Sequence, residues 1–213
     1  MNTDELAKLL ATGPVAVDPG APVRRCALAV GIGSIAAAVL MAIWLGVRST
    51  LAQDLPAPMF WIKFAFVASI AAAGWVATLR LARPGARLAR VPLALAAPVL
   101  VMWFLAALAL AGADAPRRVE LLLGQTWAAC PLNIAVLSLP VLAAALWGMK
   151  GLAPTRLVRA GAATGLFAGA TGAVVYAFHC PELAAPFLGI WYILGMLIPA
   201  ALGALLGPRV LRW

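Results

Sequence analysis

The sequence predicts an all-α, polytopic membrane protein with six transmembrane helices, and three observations support this fold class. Hydrophobic residues make up 65% of the 213 positions and charged residues only 11%, whereas a soluble domain is about half apolar and about a quarter charged. Six apolar stretches carry no charged side chain. The basic residues also lie mostly on one side of the resulting topology, as is usual in membrane proteins.

Residues 1–22 are predicted to form a segment outside the membrane. A short amphipathic helix has Asp4 and Glu5 in its first turn, where the helix dipole favours acids. Its leucines recur at helical spacing and share one face: Leu6, Leu9 and Leu10. A helix this short is marginal alone in water, so it either folds on a partner or the membrane, or frays as a terminus. An extended linker follows, from Gly13 to Pro22.

The membrane domain is predicted to comprise residues 23–213. Its uncharged stretches run from 26 to 47, 64 to 79, 91 to 113, 121 to 149, 160 to 181 and 183 to 208. Because a bilayer core of ~30 Å requires about 20 helical residues, the second stretch is long enough only if Trp61, Ile62 and Lys63 are counted as interfacial residues. The connections are short, so the six helices should form one bundle.

Positive charges predict the orientation, because Lys and Arg near helix ends remain on the cytoplasmic side. One side of the topology, which includes both termini, accounts for the entire net charge of +9, and the other side is neutral. The positive side holds twelve basic residues: Lys8, Arg24, Arg25, Arg80, Arg83, Arg87, Arg90, Lys150, Arg156, Arg159, Arg209 and Arg212. Both termini are therefore predicted to be cytoplasmic, and the charge requires no bound nucleic acid.

Two patterns predict contacts of this bundle. The connection Arg80 to Arg90 contains four arginines, which should lie against anionic lipid of the inner leaflet. A stripe of small residues on the fifth helix, Gly161, Gly165 and Gly169, should let another helix approach closely.

Several function classes are disfavoured by what the chain lacks. With Lys63 placed at the interface, no ionisable residue is expected deep in a span, whereas proton and ion pathways usually require one. His179 is the single histidine, so bis-histidine haem ligation within one chain is excluded. There is no cluster of acid, histidine and nucleophile of the kind that hydrolases use. We therefore expect neither a transporter nor an enzyme.

Two cysteines, Cys130 and Cys180, precede prolines at the same predicted end of the bundle. The fourth and fifth helices that carry them are predicted to be antiparallel neighbours, which permits a disulfide without requiring one. If Pro131 begins the fourth helix, the helix dipole favours a thiolate at Cys130. Cys130 would then attack and Cys180 would resolve. If the helix begins earlier, Pro131 is an internal kink.

Reduced Cys130 and Cys180, together with His179, also offer soft and borderline ligands for a thiophilic metal ion. Metal sensing therefore stands beside oxidant sensing as a hypothesis for this pair. A permanent disulfide, or two inert small side chains, is the structural alternative. No other cofactor is expected.

A set of motifs distributed along the whole chain resembles the NrsF family of membrane anti-sigma factors. The motifs are Thr3 to Leu6 with Leu9 and Leu10, Leu123 to Trp127 before Cys130 and Pro131, His179 to Glu182, Ala185 to Phe187 with Trp191 and Tyr192, and Leu205 to Trp213.

The resemblance implies a protein of the bacterial inner membrane that holds an extracytoplasmic-function sigma factor and releases it under stress. It makes the N-terminal helix the sigma-binding element, with Asp4 in its first turn and three groove anchors: Leu6, Leu9 and Leu10. The thiol pair becomes the periplasmic sensor. Direct contact with nucleic acid is not implied. The residues alone leave one alternative function, a thiol oxidoreductase that passes electrons to a quinone.

The predicted topology can be tested with a reporter fused after Trp213. Because the whole excess of positive charge lies on the side of the termini, a fused alkaline phosphatase should be inactive and a fused green fluorescent protein should fluoresce. Phosphatase activity from this fusion would place both termini outside and move Cys130 and Cys180 to the reducing compartment.

Overall fold

A computed structural model describes residues 2–11, 20–150, 152 and 154–212, and all regular structure within these ranges is helical. The helices are α1 (Thr3–Ala11), α2 (Ala21–Trp44), α3 (Leu51–Asp54), α4 (Pro58–Leu81), α5 (Val91–Ala111), α6 (Ala115–Leu123), α7 (Cys130–Met149), α8 (Leu157–Tyr176), α9 (Ala185–Phe187) and α10 (Ile193–Val210). A π-helical turn, Leu188–Tyr192, joins α9 to α10.

The prediction of six transmembrane helices is confirmed. Within the described ranges six helices are long and apolar enough to cross a membrane: α2, α4, α5, α7, α8 and the continuous helix Ala185–Val210. The predicted N-terminal helix is present as α1, and its first turn is closed because Asn2 N donates to Glu5 Oε2 at 3.2 Å. The predicted linker from Gly13 to Pro22 lies mostly outside the described residues.

Helix α8 occupies the centre of the bundle. It packs most extensively against α10 and also against α4 and α7, while α2 packs on α7 and α5 packs on α4 and α9. In the most apolar stretch of α8, 56% of the residues are buried inside the protein, against 11% for α5. A displacement of α8 would therefore change the packing of most of the other spans.

Small residues bring α8 and α10 into backbone contact. The stripe Gly161, Gly165 and Gly169 lies against α10. A Cβ atom on Gly165 would overlap the carbonyl oxygen of Pro199, and one on Gly161 would overlap that of Gly203. Because lipid tails are as apolar as side chains, close packing of this kind, rather than exclusion from water, holds membrane helices together.

The bundle has two faces. We call the end at which α2, α5 and α8 finish the cysteine face, because Cys130 and Cys180 both lie there. The opposite end is the basic face, where the guanidinium group of Arg25 lies 4.6 Å from the ring centre of Trp147. The third cysteine, Cys26, is buried at this basic face against Gly148.

With Pro131 in the first turn of α7, the later of the two starts left open for the fourth helix is found, whereas the fifth helix ends before its apolar stretch does. The stretch from 121 to 149 is divided, because α6 ends at Leu123, Gly124 adopts a positive φ of 53°, and α7 begins at Cys130. Helix α8 ends at Tyr176, so residues 177–184, which we call the strap, are not helical. Apolar content alone cannot show such breaks, and Pro181 disfavours helix at the residue before it.

We predict that Gly165→Leu destabilises the bundle, because the added side chain meets the α10 backbone rather than a side chain that can move. The loss should be at least about 2 kcal/mol, measured by thermal or denaturant unfolding in detergent. Gly31→Leu is the matched control, since nothing lies within 4 Å of a Cβ at Gly31. Equal stability of the two variants would show that the contact between α8 and α10 is not tight.

Candidate functional site

The strap carries Cys180 back against the first turn of α7, where Cys130 lies. Both cysteines are free and completely buried, with 0% of each residue exposed. The two thiols are close enough for each to affect the ionisation of the other. They share one apolar cluster with Tyr176 and Tyr192. The two thiols predicted to form a pair therefore lie together in the buried core of the cysteine face.

A fully buried lysine lies beside this pair. Lys63 has 0% exposure, and its Nζ donates hydrogen bonds to the carbonyl oxygens of Cys180, at 2.8 Å, and Glu182, at 3.1 Å. Lys63 was expected to lie at the membrane interface, and the structure adds that its side chain is buried within the protein there. The strap is not helical, so these two carbonyl oxygens have no helical N–H partner. They accept from the Lys63 amine and replace the water that would otherwise surround it.

A second cation, Arg48, reaches the same carbonyl from the connection between α2 and α3. Its Nη1 donates to Cys180 O at 2.7 Å, and its Nη2 lies 3.1 Å from Asp54 Oδ2. The Arg48 side chain is only 6% exposed. Asp54 thus neutralises Arg48, whereas no carboxylate of the described residues lies within ion-pair distance of Lys63.

Glu182 fastens the far end of the strap. Its Oε1 accepts hydrogen bonds from Gln125 N at 2.7 Å and Thr126 Oγ1 at 3.4 Å. Gly124 is needed there, because a Cβ at this position would lie 2.7 Å from Glu182 Cδ. The strap is therefore held by residues before α3, within α4 and before α7, and it ties the segments of the cysteine face together.

These surroundings bear on which of the two thiols ionises more easily. The pKa of the Cys180 thiol lies below its ordinary value, because the neighbouring Cys130 thiol can donate to the sulfur and the Lys63 ammonium group is close. Cys180 lies just beyond the C-terminus of α8, where its N donates to Tyr176 O at 3.0 Å, so the helix dipole opposes this shift without reversing it. Cys180, rather than Cys130, is therefore the thiol whose environment favours the thiolate.

Tyr192 covers the other side of the site. Its side chain is completely buried, Lys63 Nζ lies 5.2 Å from its ring centre, and its hydroxyl has no hydrogen-bond partner in the described part of the chain. Tyr192 is the last residue of the π-helical turn, a feature that occurs often at functional sites. The carbonyl of Gly189 in this turn accepts a hydrogen bond from Trp103 Nε1 at 2.9 Å.

The third predicted metal ligand is directed elsewhere. His179 Nδ1 is 2.9 Å from the carbonyl oxygen of Gly46, and its ring stacks on Tyr176 with centroids 5.6 Å apart. Across the described residues, no group of three His, Cys, Asp or Glu side chains is placed to hold a metal ion. A thiophilic metal would find two sulfur ligands here, from Cys130 and Cys180.

The second candidate site is α1, which precedes the first span along the chain. Residues 2–8 are exposed, including Leu6 at 43%, and α1 makes no extensive contact with another described helix. The side chains of Leu9 and Leu10 lie outside the described residues, although their backbone belongs to the helix. An exposed amphipathic helix of this kind can dock its apolar face in a groove of another protein.

Sequence analysis missed Lys63, Arg48 and Tyr192 as members of the thiol site. One signal for Lys63 was available: it lies in the sixth position of α4, inside a span, and an ionisable residue there indicates function by default. Because Lys63 was counted only as an interfacial residue, this indication of function was given no weight. For Arg48 and Tyr192 no local pattern existed, because their partners are more than a hundred residues away or in another span.

Comparison with known proteins identifies relatives along the entire chain. The sequence model of the NrsF family, described as negative regulator of sigma F, matches residues 10–213. A protein of Azospira oryzae named probable anti-sigma-F factor NrsF is 54% identical over 213 residues, and one of Caulobacter vibrioides named anti-sigma-F factor NrsF is 40% identical over 215 residues. Both alignments cover 100% of each chain. No solved structure matches this chain.

Proposed function

Because this chain belongs to the NrsF family of negative regulators of sigma F, we propose that it is an anti-sigma factor that holds its sigma factor at the membrane. Oxidation of Cys130 and Cys180 lowers its affinity for the sigma factor. The observation that carries the sensing step is the burial of two free thiols in one cluster at the cysteine face. We take the partner to be an extracytoplasmic-function sigma factor, and the location to be the inner membrane of a bacterium.

Helix α1 is the element proposed to bind the sigma factor. Its exposure and its lack of extensive contacts within the bundle leave it available to a partner. Leu6, Leu9 and Leu10 share one face by their spacing, and Asp4 lies in the first turn, so an apolar groove with a basic rim would fit this helix. The arginines of the connection between α4 and α5 are left to contact lipid.

Oxidation suits the thiol pair better than metal binding. Disulfide formation uses only Cys130 and Cys180, which share one buried cluster, whereas a metal ion would lack the third ligand expected from His179. Burial of both thiols restricts the reaction to small oxidants, or to moments when the strap opens. A thiophilic metal remains a second proposed stimulus that would act through the same two sulfur atoms.

The signal would pass from the cysteine face to the basic face through α8. The strap continues directly from α8, and α8 packs tightly on α10 along the glycine stripe. A closely packed helix pair moves as one body rather than deforming. A coupling free energy of about 1–3 kcal/mol between the two faces would change sigma affinity by about 5- to 150-fold, which is enough for regulation.

The alternative of a quinone oxidoreductase receives no support from the relatives, whose names are those of regulators. Catalytic reduction of a quinone by the purified protein would favour it. Stoichiometric co-purification with a sigma factor would favour the anti-sigma function.

We predict that changing both Leu9 and Leu10 to Asp abolishes sigma binding. Two apolar anchors typically contribute about 1–2 kcal/mol each, so affinity should fall by more than about tenfold in a pull-down with the full-length protein. Ala7→Asp, which places an acid outside the leucine face, is the control and should bind normally. If the double variant binds like the control, the docking surface lies elsewhere.

We predict that Cys130→Ser and Cys180→Ser each abolish induction of a sigma-dependent reporter by a small oxidant, because serine cannot form the disulfide. The double variant should behave like either single variant, since the two residues act as one unit. Cys26→Ser should leave induction intact, as this thiol lies at the basic face. Normal induction in the Cys130 and Cys180 variants would show that these cysteines are structural.

A further inference from the structure

The charge of Lys63 is the least compensated feature of the thiol site. Burying an ammonium ion in a membrane domain is expensive unless a partner offsets the lost hydration. Lys63 is completely buried, yet no carboxylate of the described residues forms an ion pair with it. Asp54 is taken by Arg48, and the carboxylate of Glu182 is taken by Gln125 and Thr126.

The groups around the Lys63 amine nevertheless stabilise its charged form. Nζ donates to two carbonyl oxygens of the strap, at 2.8 Å and 3.1 Å, and faces the Tyr192 ring at 5.2 Å. The first of these carbonyls belongs to Cys180 itself. Cys180 is therefore the acid placed to supply the missing negative charge.

Lys63 also distinguishes between the two sulfur atoms. Its Nζ is hydrogen-bonded to the backbone of Cys180, whereas no hydrogen bond among the described residues joins it to Cys130. A negative charge on Cys180 would therefore lie beside the ammonium group that binds the same residue.

We propose that Lys63 is a positioning residue of the thiol reaction, whose charge makes Cys180 the sulfur that attacks the oxidant and leaves Cys130 to resolve the product. This inference rests on the proposed function of the thiol pair as a sensor.

With a peroxide as the oxidant, the reaction has two balanced steps. The Cys180 thiolate attacks one peroxide oxygen, the O–O bond breaks, and hydroxide leaves, so that Cys180 becomes a sulfenic acid. The sulfur of Cys130 then attacks the sulfenic sulfur, the S–O bond breaks, and the Cys130 proton leaves with the hydroxyl group as water. The two thiols lose two electrons in total, and the peroxide gains them.

The order of attack is tested with single-cysteine variants in the Cys26→Ser background, using full-length protein in lipid nanodiscs. Each is treated with hydrogen peroxide and a cyclic diketone that traps sulfenic acid, and the adduct is followed by intact mass. We expect Cys130→Ser to trap an adduct on Cys180 at least about tenfold faster than Cys180→Ser traps one on Cys130. Equal rates, or a faster reaction at Cys130, would overturn the proposal.

The role of Lys63 is tested by substitution with both thiols present. Lys63→Met should slow peroxide-driven disulfide formation by about tenfold, because the cation that stabilises the thiolate is gone. Lys63→Arg should restore the rate to within about threefold, which a purely space-filling role would not predict. Lys63→Met oxidised as fast as the wild type would overturn the proposal and leave the sensor hypothesis standing.

Failure of the sensor hypothesis gives a different result. In that case the wild type forms no disulfide with peroxide while the sigma factor is still released, and both the proposed function and this inference fall. If Lys63→Met does not fold, shown by loss of a monodisperse elution peak, the comparison of the two single-cysteine variants decides, because Lys63 is intact in both.

Discussion

The organisation of the cysteine face depends on the convergence of Lys63 and Arg48 on one carbonyl oxygen, that of Cys180. This carbonyl has no backbone N–H partner among the described residues, and in a membrane domain there is little water to replace one. The two cations satisfy it instead, one from α4 and one from the connection after α2. They hold the strap, and with it the Cys180 thiol, in place, so the same contacts that complete the backbone also shape the redox site.

These contacts give a physical reason why oxidation could change the conformation. A disulfide carries no charge, so a Cys180 thiolate that is oxidised no longer compensates Lys63, and a buried cation without a partner is costly. The site can relieve this cost by moving the strap or the outer end of α4. The strap continues from α8 along the chain, and α4 packs against α8. Helix α8 in turn packs tightly against α10 along the glycine stripe. A change of charge at the thiol site can thus displace α8 and α10 together and so alter the basic face.

The sequence predicted the spans well because transfer of apolar side chains into lipid dominates their placement. The location of both thiols at one face could also be predicted, since one Cys-Pro step begins a hydrophobic segment and the other follows the end of the next. Hydropathy missed the break at Gly124, the strap after Tyr176 and the burial of Lys63. Each depends on hydrogen bonds between residues far apart in the sequence, and a transfer scale contains no term for such partners. The dipole argument for Cys130 as the attacking thiol is likewise local, and it takes no account of a lysine in another helix.

The central claim is that the oxidation state of Cys130 and Cys180 controls sigma affinity across the membrane domain. The most direct test is the dissociation constant of the full-length protein in nanodiscs for its co-purifying sigma factor, measured reduced and after disulfide formation verified by mass. The account predicts binding at least about fivefold weaker in the oxidised protein, restored by a reductant. Equal dissociation constants in the two states, with the disulfide fully formed, would contradict it.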